Sequence, residues 1–231
     1  RTILYSGEHG QSIVFKVSAG EWFLTKKCNN GSLLERVSFL EKLLLGLNEA
    51  GPLLNRVNKI ISYCWPEGRL SSQKVLLPVD TLIKVKLKTE LHTGKNKTGD
   101  KFQYEVAENI YLNGTRSILV IPSGSVGTGK IAGIIRPGKF GRDGKLELDM
   151  GQVTTFDGSK VNVHVEEQAI TKNKSEKLAV GIAAAGIFIA GPTGIMTGIF
   201  VDGKDTVLPA GVEFYIQTKQ AAQVEGLVIS L

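Results

Sequence analysis

Strict alternation of apolar and polar residues is the feature that most restricts what this chain can become. Ile83, Val85 and Leu87 alternate with Lys84, Lys86 and Lys88, and Phe102, Tyr104 and Val106 with Lys101, Gln103 and Glu105. Leu146, Leu148 and Met150 alternate with Lys145, Glu147 and Asp149, and Val161, Val163 and Val165 with Asn162, His164 and Glu166. A period of two places one row in a core and the other in water along a strand, and scatters both rows around a helix. The strings NGT at Asn113, RPGKFGRDG from Arg136 to Gly144 and FDGS at Phe156 supply turns between such strands. Composition agrees: 27 glycines against 7% aromatic residues favour turns and close backbone contacts. With 231 residues, 42% of them hydrophobic, the chain can bury one large or two small cores.

An echo runs through this β-patterned half. Leu77-Pro78-x-Asp80, Ile121-Pro122-x-Gly124 and Leu208-Pro209-x-Gly211 each end an apolar run, turn at a proline and lead into another strand-like segment. Proline is tolerated there because a strand end needs no ladder N–H. Pro78, Pro122, Gly124, Pro209 and Gly211 are therefore assigned to strand-leading turns.

The N-terminal part reads differently. Residues 1–30 suggest two short strands, ILYS and SIVFKV, followed by WFL. From Gly31 the period becomes helical and repeats: GSLLERVSFLEKLLLG is echoed by GPLLNRVNKIISYCWP at an offset of twenty residues. Ser32 with Glu35 has the form of a capping box, and Pro52 suits a helix start. Residues 31–66 are thus expected to be a short helical pair, an ordinary hairpin packed on the rest or a repeat unit. The Gly-bounded pair resembles repeats that precede a barrel domain in some envelope proteins of diderm Firmicutes. The polar stretch 67–74 reads as the linker to a domain of residues 75–231.

Between Lys177 and Asp202 lie twenty-four residues without a charge, LAVGIAAAGIFIAGPTGIMTGIFV. The length is enough to cross about 30 Å of hydrocarbon as one helix. Gly181, Gly186, Gly191, Pro192, Gly194 and Gly198 punctuate it, which favours two short packed helices or a bent hairpin equally well. Polar collars, NKSEK before and DGKD after, suit a hairpin that enters a membrane or an oligomeric ring; a buried core hairpin is the competing account.

Several chemistries find no support. A net charge of +6 gives only a mild attraction to polyanions, and no segment combines dense Lys/Arg with aromatic stacking platforms, so nucleic acid is not expected as a partner. GSVGTGK, from Gly124 to Lys130, imitates the start of a phosphate-binding loop. Ile131 stands where a Mg²⁺-binding hydroxyl belongs, and Pro137 and neighbouring glycines forbid the helix that must follow. No nucleotide or other cofactor is expected. His9, His92 and His164 lie in no nucleophile or metal motif, with His164 on the polar face of its strand. Glu166 and Glu167, as neighbours in a strand, would point to opposite faces. Only Cys28 and Cys64 are present, too few for a zinc site; one disulfide or two free thiols are both open to them. The chain starts at Arg1 with neither Met nor an apolar leader, which reads as a processed chain or a fragment.

The order LPVDTLIKVKL, TGDKFQYEVAENI, ILVIPSGSVGTGKI, IRPGKFGRDGKLELDM, an apolar Gly-rich hairpin and KDTVLPAGVEFYIQT resembles the barrel domain of the outer-membrane ring subunit of type IV secretion and conjugation core complexes, and related stand-alone envelope proteins. The resemblance spans about two thirds of the chain. It implies that Ala179 to Val201 is an insertion late in the barrel that crosses the outer membrane as helices, and that Leu208 to Thr218 closes the barrel. This chain shows neither the inner-membrane helix nor the proline-rich stalk of that family, so a stand-alone ring is the better expectation. The fold expected is mainly β, a barrel or sandwich of about eight or more strands with an inserted helical hairpin at 177–202, preceded by the helical repeat. The function expected is structural and non-enzymatic: a homo-oligomeric scaffold at the outer membrane, with envelope lipid or proteins as partners. The alternative is a soluble periplasmic module that binds cell-wall polymer.

Overall fold

The computed structural model describes residues 10–66, 70–112, 118–138, 145–176, 188–189, 196–197, 205 and 207–229. Three helices come first: α1 (Ile13–Thr25), α2 (Leu33–Leu45) and α3 (Leu53–Cys64). The β-patterned part follows as β1 (Ser72–Leu77), β2 (Leu82–Leu87), β3 (Leu91–His92), β4 (Lys101–Val106), β5 (Ile110–Leu112), β6 (Ile118–Ile121), β7 (Val126–Ile135), β8 (Lys145–Thr154) and β9 (Lys160–His164). After helix α4 (Glu167–Ser175) come β10 (Phe188–Ile189), β11 (Met196–Thr197), β12 (Val207–Leu208), β13 (Glu213–Thr218) and β14 (Ala222–Val228).

The fold is mainly β, as the alternation predicts. Six strands close a barrel in the order β13-β2-β4-β7-β8-β9, every neighbouring pair antiparallel. The apolar rows point into it: Ile83, Val85, Leu87, Phe102, Tyr104, Val106, Leu146, Met150, Val161 and Val163 are all buried in one cluster. The barrel is a packed core, as closure of so few strands requires. A second sheet, β1-β14-β6-β5, lies beside it, and β3 pairs with β12. The boundary drawn at residue 75 sits inside β1, which already begins at Ser72.

The expected N-terminal strands are not formed within the described residues. Residues 1–9, including ILYS, lie outside them, and SIVFKV opens α1 instead. Ser12 caps this helix, accepting from the Phe15 N–H at 3.1 Å. The β-branched run that resembled a strand is explained by burial on more than one side. Phe15 and Ala19 pack with Leu119, Phe156 and Leu227 of the β part, and Val17 packs with Val37, Leu40, Val57 and Ile60 of α2 and α3. A helix buried on several faces loses the one-sided stripe by which helices are recognised. Gly20 lets α2 and α3 approach, since a Cβ there would press on Leu40 and Ile60 at 3.3 Å.

α1 is therefore a third copy of the twenty-residue repeat. Ser12 and Ser32 both cap their helices, and Val17, Val37 and Val57 share one core position. Successive copies are clamped by the same ion pair, Arg36 to Glu21 and Arg56 to Glu41, each at 2.7 Å with the carboxylate wholly buried. The carboxylate oxygen that makes the 2.7 Å contact in each clamp, Oε2, also accepts a loop N–H at 3.2 Å, from Asn29 and Glu49 respectively.

Candidate functional site

The three Pro-led turns form one repeated corner. Each carries the chain from a strand outside the barrel into a barrel strand: β1 to β2, β6 to β7, and β12 to β13. Asp80, Gly124 and Gly211 hold φ of 61°, 85° and 93° at the same place in each turn. That residue donates its N–H to the last part of a neighbouring barrel strand, whose N–H is returned to the next residue of the turn. The pairs are Asp80 N to Thr218 O with Thr218 N to Thr81 O, Gly124 N to Val106 O with Val106 N to Ser125 O, and Gly211 N to Leu87 O with Leu87 N to Val212 O. Every one of these bonds lies between 2.7 and 3.1 Å. Three strand ends are thus satisfied by the corners rather than left to solvent.

The corner at Pro122 has an added task. Cys28 donates its N–H to Ser123 O at 3.0 Å, and a Cβ on Gly124 would collide with the Cys28 carbonyl oxygen. The loop that follows α1 is therefore seated on this corner. The remaining glycines of GSVGTGK lie along β7, where Cβ atoms on Gly127 and Gly129 would strike the rings of Tyr104 and Phe102. The Tyr104 hydroxyl reaches across them to the Met150 carbonyl at 2.8 Å. Where a phosphate loop would need a helix the strand β7 runs on to Ile135, and Lys130 is on the surface 3.6 Å from Asp149. These glycines make room for aromatic rings and for the bulges in the β7–β8 ladder.

The barrel closes at a short seam. β9 and β13 pair only through Gln217 with His164 and Thr218 with Val163. Beyond them α4 takes the place of a ladder partner. Asn173, buried, accepts the Tyr215 N–H at 2.7 Å and donates to the Tyr215 carbonyl at 2.9 Å, and the Ala169 N–H donates to Gln217 Oε1 at 2.9 Å. The Tyr215 hydroxyl lies 3.2 Å from Glu176, whose carboxyl is held below its ordinary range by Lys172, 2.6 Å away. Burial pushes the Tyr215 phenol upward, with Glu176 adding to it.

This seam is where the uncharged segment leaves and returns. Its upstream anchor is α4, bound to β13; its downstream anchor is β12, paired with β3 and feeding β13 through the Pro209 corner. The whole excursion is inserted between two neighbouring barrel strands. Gly181, Gly186, Gly191, Pro192, Gly194 and Gly198 lie outside the described residues. The helical hairpin expected at 177–202 is corrected where residues are described: Phe188–Ile189 and Met196–Thr197 are strands, paired antiparallel as Phe188 with Thr197 and Ile189 with Met196. The β-branched Ile189 and Thr197 suit extended backbone better than helix. Among the described residues no helix is long and apolar enough to cross a membrane.

The other singled-out residues are dispersed. Cys28 and Cys64 are free, buried in different surroundings, so the disulfide alternative is not realised. Desolvation pushes the Cys28 thiol up to about 12 and the Cys64 thiol to about 11, which keeps both protonated at neutral pH. His92 Nδ1 accepts the Gly94 N–H at 2.9 Å, and His9 lies outside the described residues. His164 is half-buried rather than solvated, with Nδ1 3.3 Å from Glu166. Glu167 does not share a strand with Glu166, since it opens α4. Among the described residues no group of three potential metal ligands is found.

No family model matches the chain, and no curated protein does. Among solved structures it is similar to the one described as ComB10 of the Com type IV secretion system of Helicobacter pylori. That similarity is 16% in sequence identity over 63% of this chain and 88% of that chain, with a TM-score of 0.36.

Proposed function

We propose that this chain is a structural protein of a bacterial cell envelope that assembles into a homo-oligomeric scaffold at the outer membrane, with its uncharged excursion as the anchoring or ring-lining element. The observation that carries the reading is the insertion of that excursion at the barrel seam. A segment of twenty-four uncharged residues is tethered by α4 and β12 to the same strand, β13. Both tethers are specific: a buried Asn173 on one side, a clasped Pro-Gly corner on the other. The barrel interior is filled with Phe102, Tyr104 and Met150, which suits a scaffold rather than a site of chemistry. The sequence resemblance to outer-membrane ring subunits of secretion core complexes points the same way.

Purification in and out of detergent, with particle size read by light scattering and electron microscopy, tests the proposal. A detergent-dependent oligomer with ring-like particles is expected. A monodisperse monomer in plain buffer would leave the periplasmic cell-wall-binding module as the better reading.

A further inference from the structure

The sheet β1-β14-β6-β5 is open at both ends, in contrast to the closed barrel beside it. Among the described residues β1 pairs with β14 alone and β5 with β6 alone. An open edge presents unpaired backbone groups to which another strand can add. All three ladders of this four-stranded sheet are antiparallel, so its two edge strands run in opposite directions. A β5 laid against the β1 of a second copy would therefore continue the same alternation.

The ladders also fix which residues turn outward. Just before β1, Ser71 accepts the Val228 N–H at 3.0 Å through its carbonyl. Backbone groups alternate in direction along an antiparallel strand, so Ser72, Lys74 and Leu76 turn theirs away from β14. Carried through the pairs Leu227 with Leu119 and Leu119 with Tyr111, the same alternation turns Tyr111 away from β6. The bulge in that ladder places its extra residue, Val120, in β6, so β5 itself stays regular. Leu76 and Tyr111 lie on one face of the sheet, that of Leu119 and Leu227, which packs on Phe15 of α1. Leu76 is 63% exposed there, an apolar side chain at an open edge.

We infer that β1 of one copy pairs antiparallel with β5 of the next, with Leu76 opposite Tyr111. On the other face this register sets Val75 opposite Leu112 and Leu77 opposite Ile110, all four of which belong to or pack against the barrel cluster. Every facing pair is then apolar, and Lys74 falls past Leu112, the last residue of β5. A hollow of about 520 Å³ beside Tyr111, walled also by Ala107, Glu108, Asn109 and Ser123, can receive the Leu76 side chain. Pairing of β1 with a second β1 would leave both β5 edges open. The head-to-tail contact uses both edges of every copy and makes a ring where the rotation closes. The inference rests on the scaffold reading: so short a ladder is too small to hold subunits alone, and it sets the order and direction of copies that the excursion gathers.

Thiol cross-linking of the full chain in detergent tests it. In the double variant Leu76→Cys with Tyr111→Cys, facing Cα atoms about 5.5 Å apart suit a disulfide, and mild oxidation should give a ladder of covalent dimers, trimers and larger species. Neither single variant should do so, and the parent supplies the background of the buried Cys28 and Cys64. Hydrogen exchange on the parent gives a second measure that needs no variant. Peptides covering 72–77 and 110–112 should exchange at least about tenfold more slowly in the assembled chain than in the diluted monomer. Dimers from Leu76→Cys alone, or an oligomer with neither the covalent ladder nor slowed exchange at the two edges, would overturn the inference and leave the scaffold reading standing. A parent that is monomeric in every condition would overturn both.

Discussion

At the scale of single residues, the three corners show how one backbone requirement is met by different chemistry. Asp80 adopts a φ of 61° that non-glycine residues rarely take, and its carboxylate is retained there by the Gln217 amide at 2.6 Å. Gly211 has open space where a Cβ would stand, so Gly211→Ala meets only the conformational penalty, about 1 kcal/mol. Gly124 carries the same penalty and the collision with the Cys28 carbonyl as well, so Gly124→Ala should cost about 1–3 kcal/mol more. Urea denaturation midpoints of the two variants check the order; equal losses would mean that the helical loop is not seated on the corner. The echo of Leu/Ile-Pro-x-Asp/Gly made these turns readable in the sequence, because proline and a positive-φ residue at fixed spacing leave few alternatives. The reciprocal clasp onto Val106, Leu87 and Thr218 was not readable, since its partners are chosen by strand order and carry no side-chain signal.

At the scale of elements, the helical array rests on two buried ion pairs that repeat every twenty residues. Arg56 holds the Glu41 carboxyl below its ordinary value of 4.5 by hydrogen bonding, against the opposing effect of burial. A lowered folded-state value means that the pair stabilises the array above the unfolded value near 4.5 and that this contribution is lost as pH falls through the lower folded value. Helical signal should therefore decline before β signal does as pH falls below 4.5. Glu41→Gln should remove that acid sensitivity and cost about 3 kcal/mol at neutral pH by leaving the Arg56 guanidinium uncompensated. Glu49→Gln, which breaks the exposed pair with Lys59, should cost under about 0.5 kcal/mol. Far-ultraviolet circular dichroism across pH and denaturant measures both. A signal for the first copy of the repeat did exist in the sequence: Glu21 and Arg36 stand fifteen residues apart, as do Glu41 and Arg56. It was overridden by the β-branched run Ile13, Val14 and Val17, whose strand preference yields to contacts on several faces of α1.

At the scale of the molecule, alternation and the Pro-led turns foretold a barrel, but not that α4 would complete its seam. A single buried Asn173 acting as a surrogate strand has no periodicity to betray it. That arrangement has a consequence for the excursion. The β9–β13 pairing and the satisfaction of Tyr215 by α4 are both made by residues outside 178–201. Replacing 178–201 by about ten Gly/Ser residues, which span roughly 17 Å on average, should therefore keep the barrel intact. The two anchors flank one strand, and the Glu176 contact with Tyr215 places the upstream end beside its middle. If the excursion serves assembly, the shortened chain should show the parent β spectrum and a melting midpoint little changed, yet run as a detergent-independent monomer. If the excursion is instead core for a soluble domain, its removal would strip apolar cover from the barrel exterior, and the variant should unfold early or aggregate. An oligomer that survives the replacement would locate assembly elsewhere on the barrel and would remove the reason for reading the uncharged segment as its anchor.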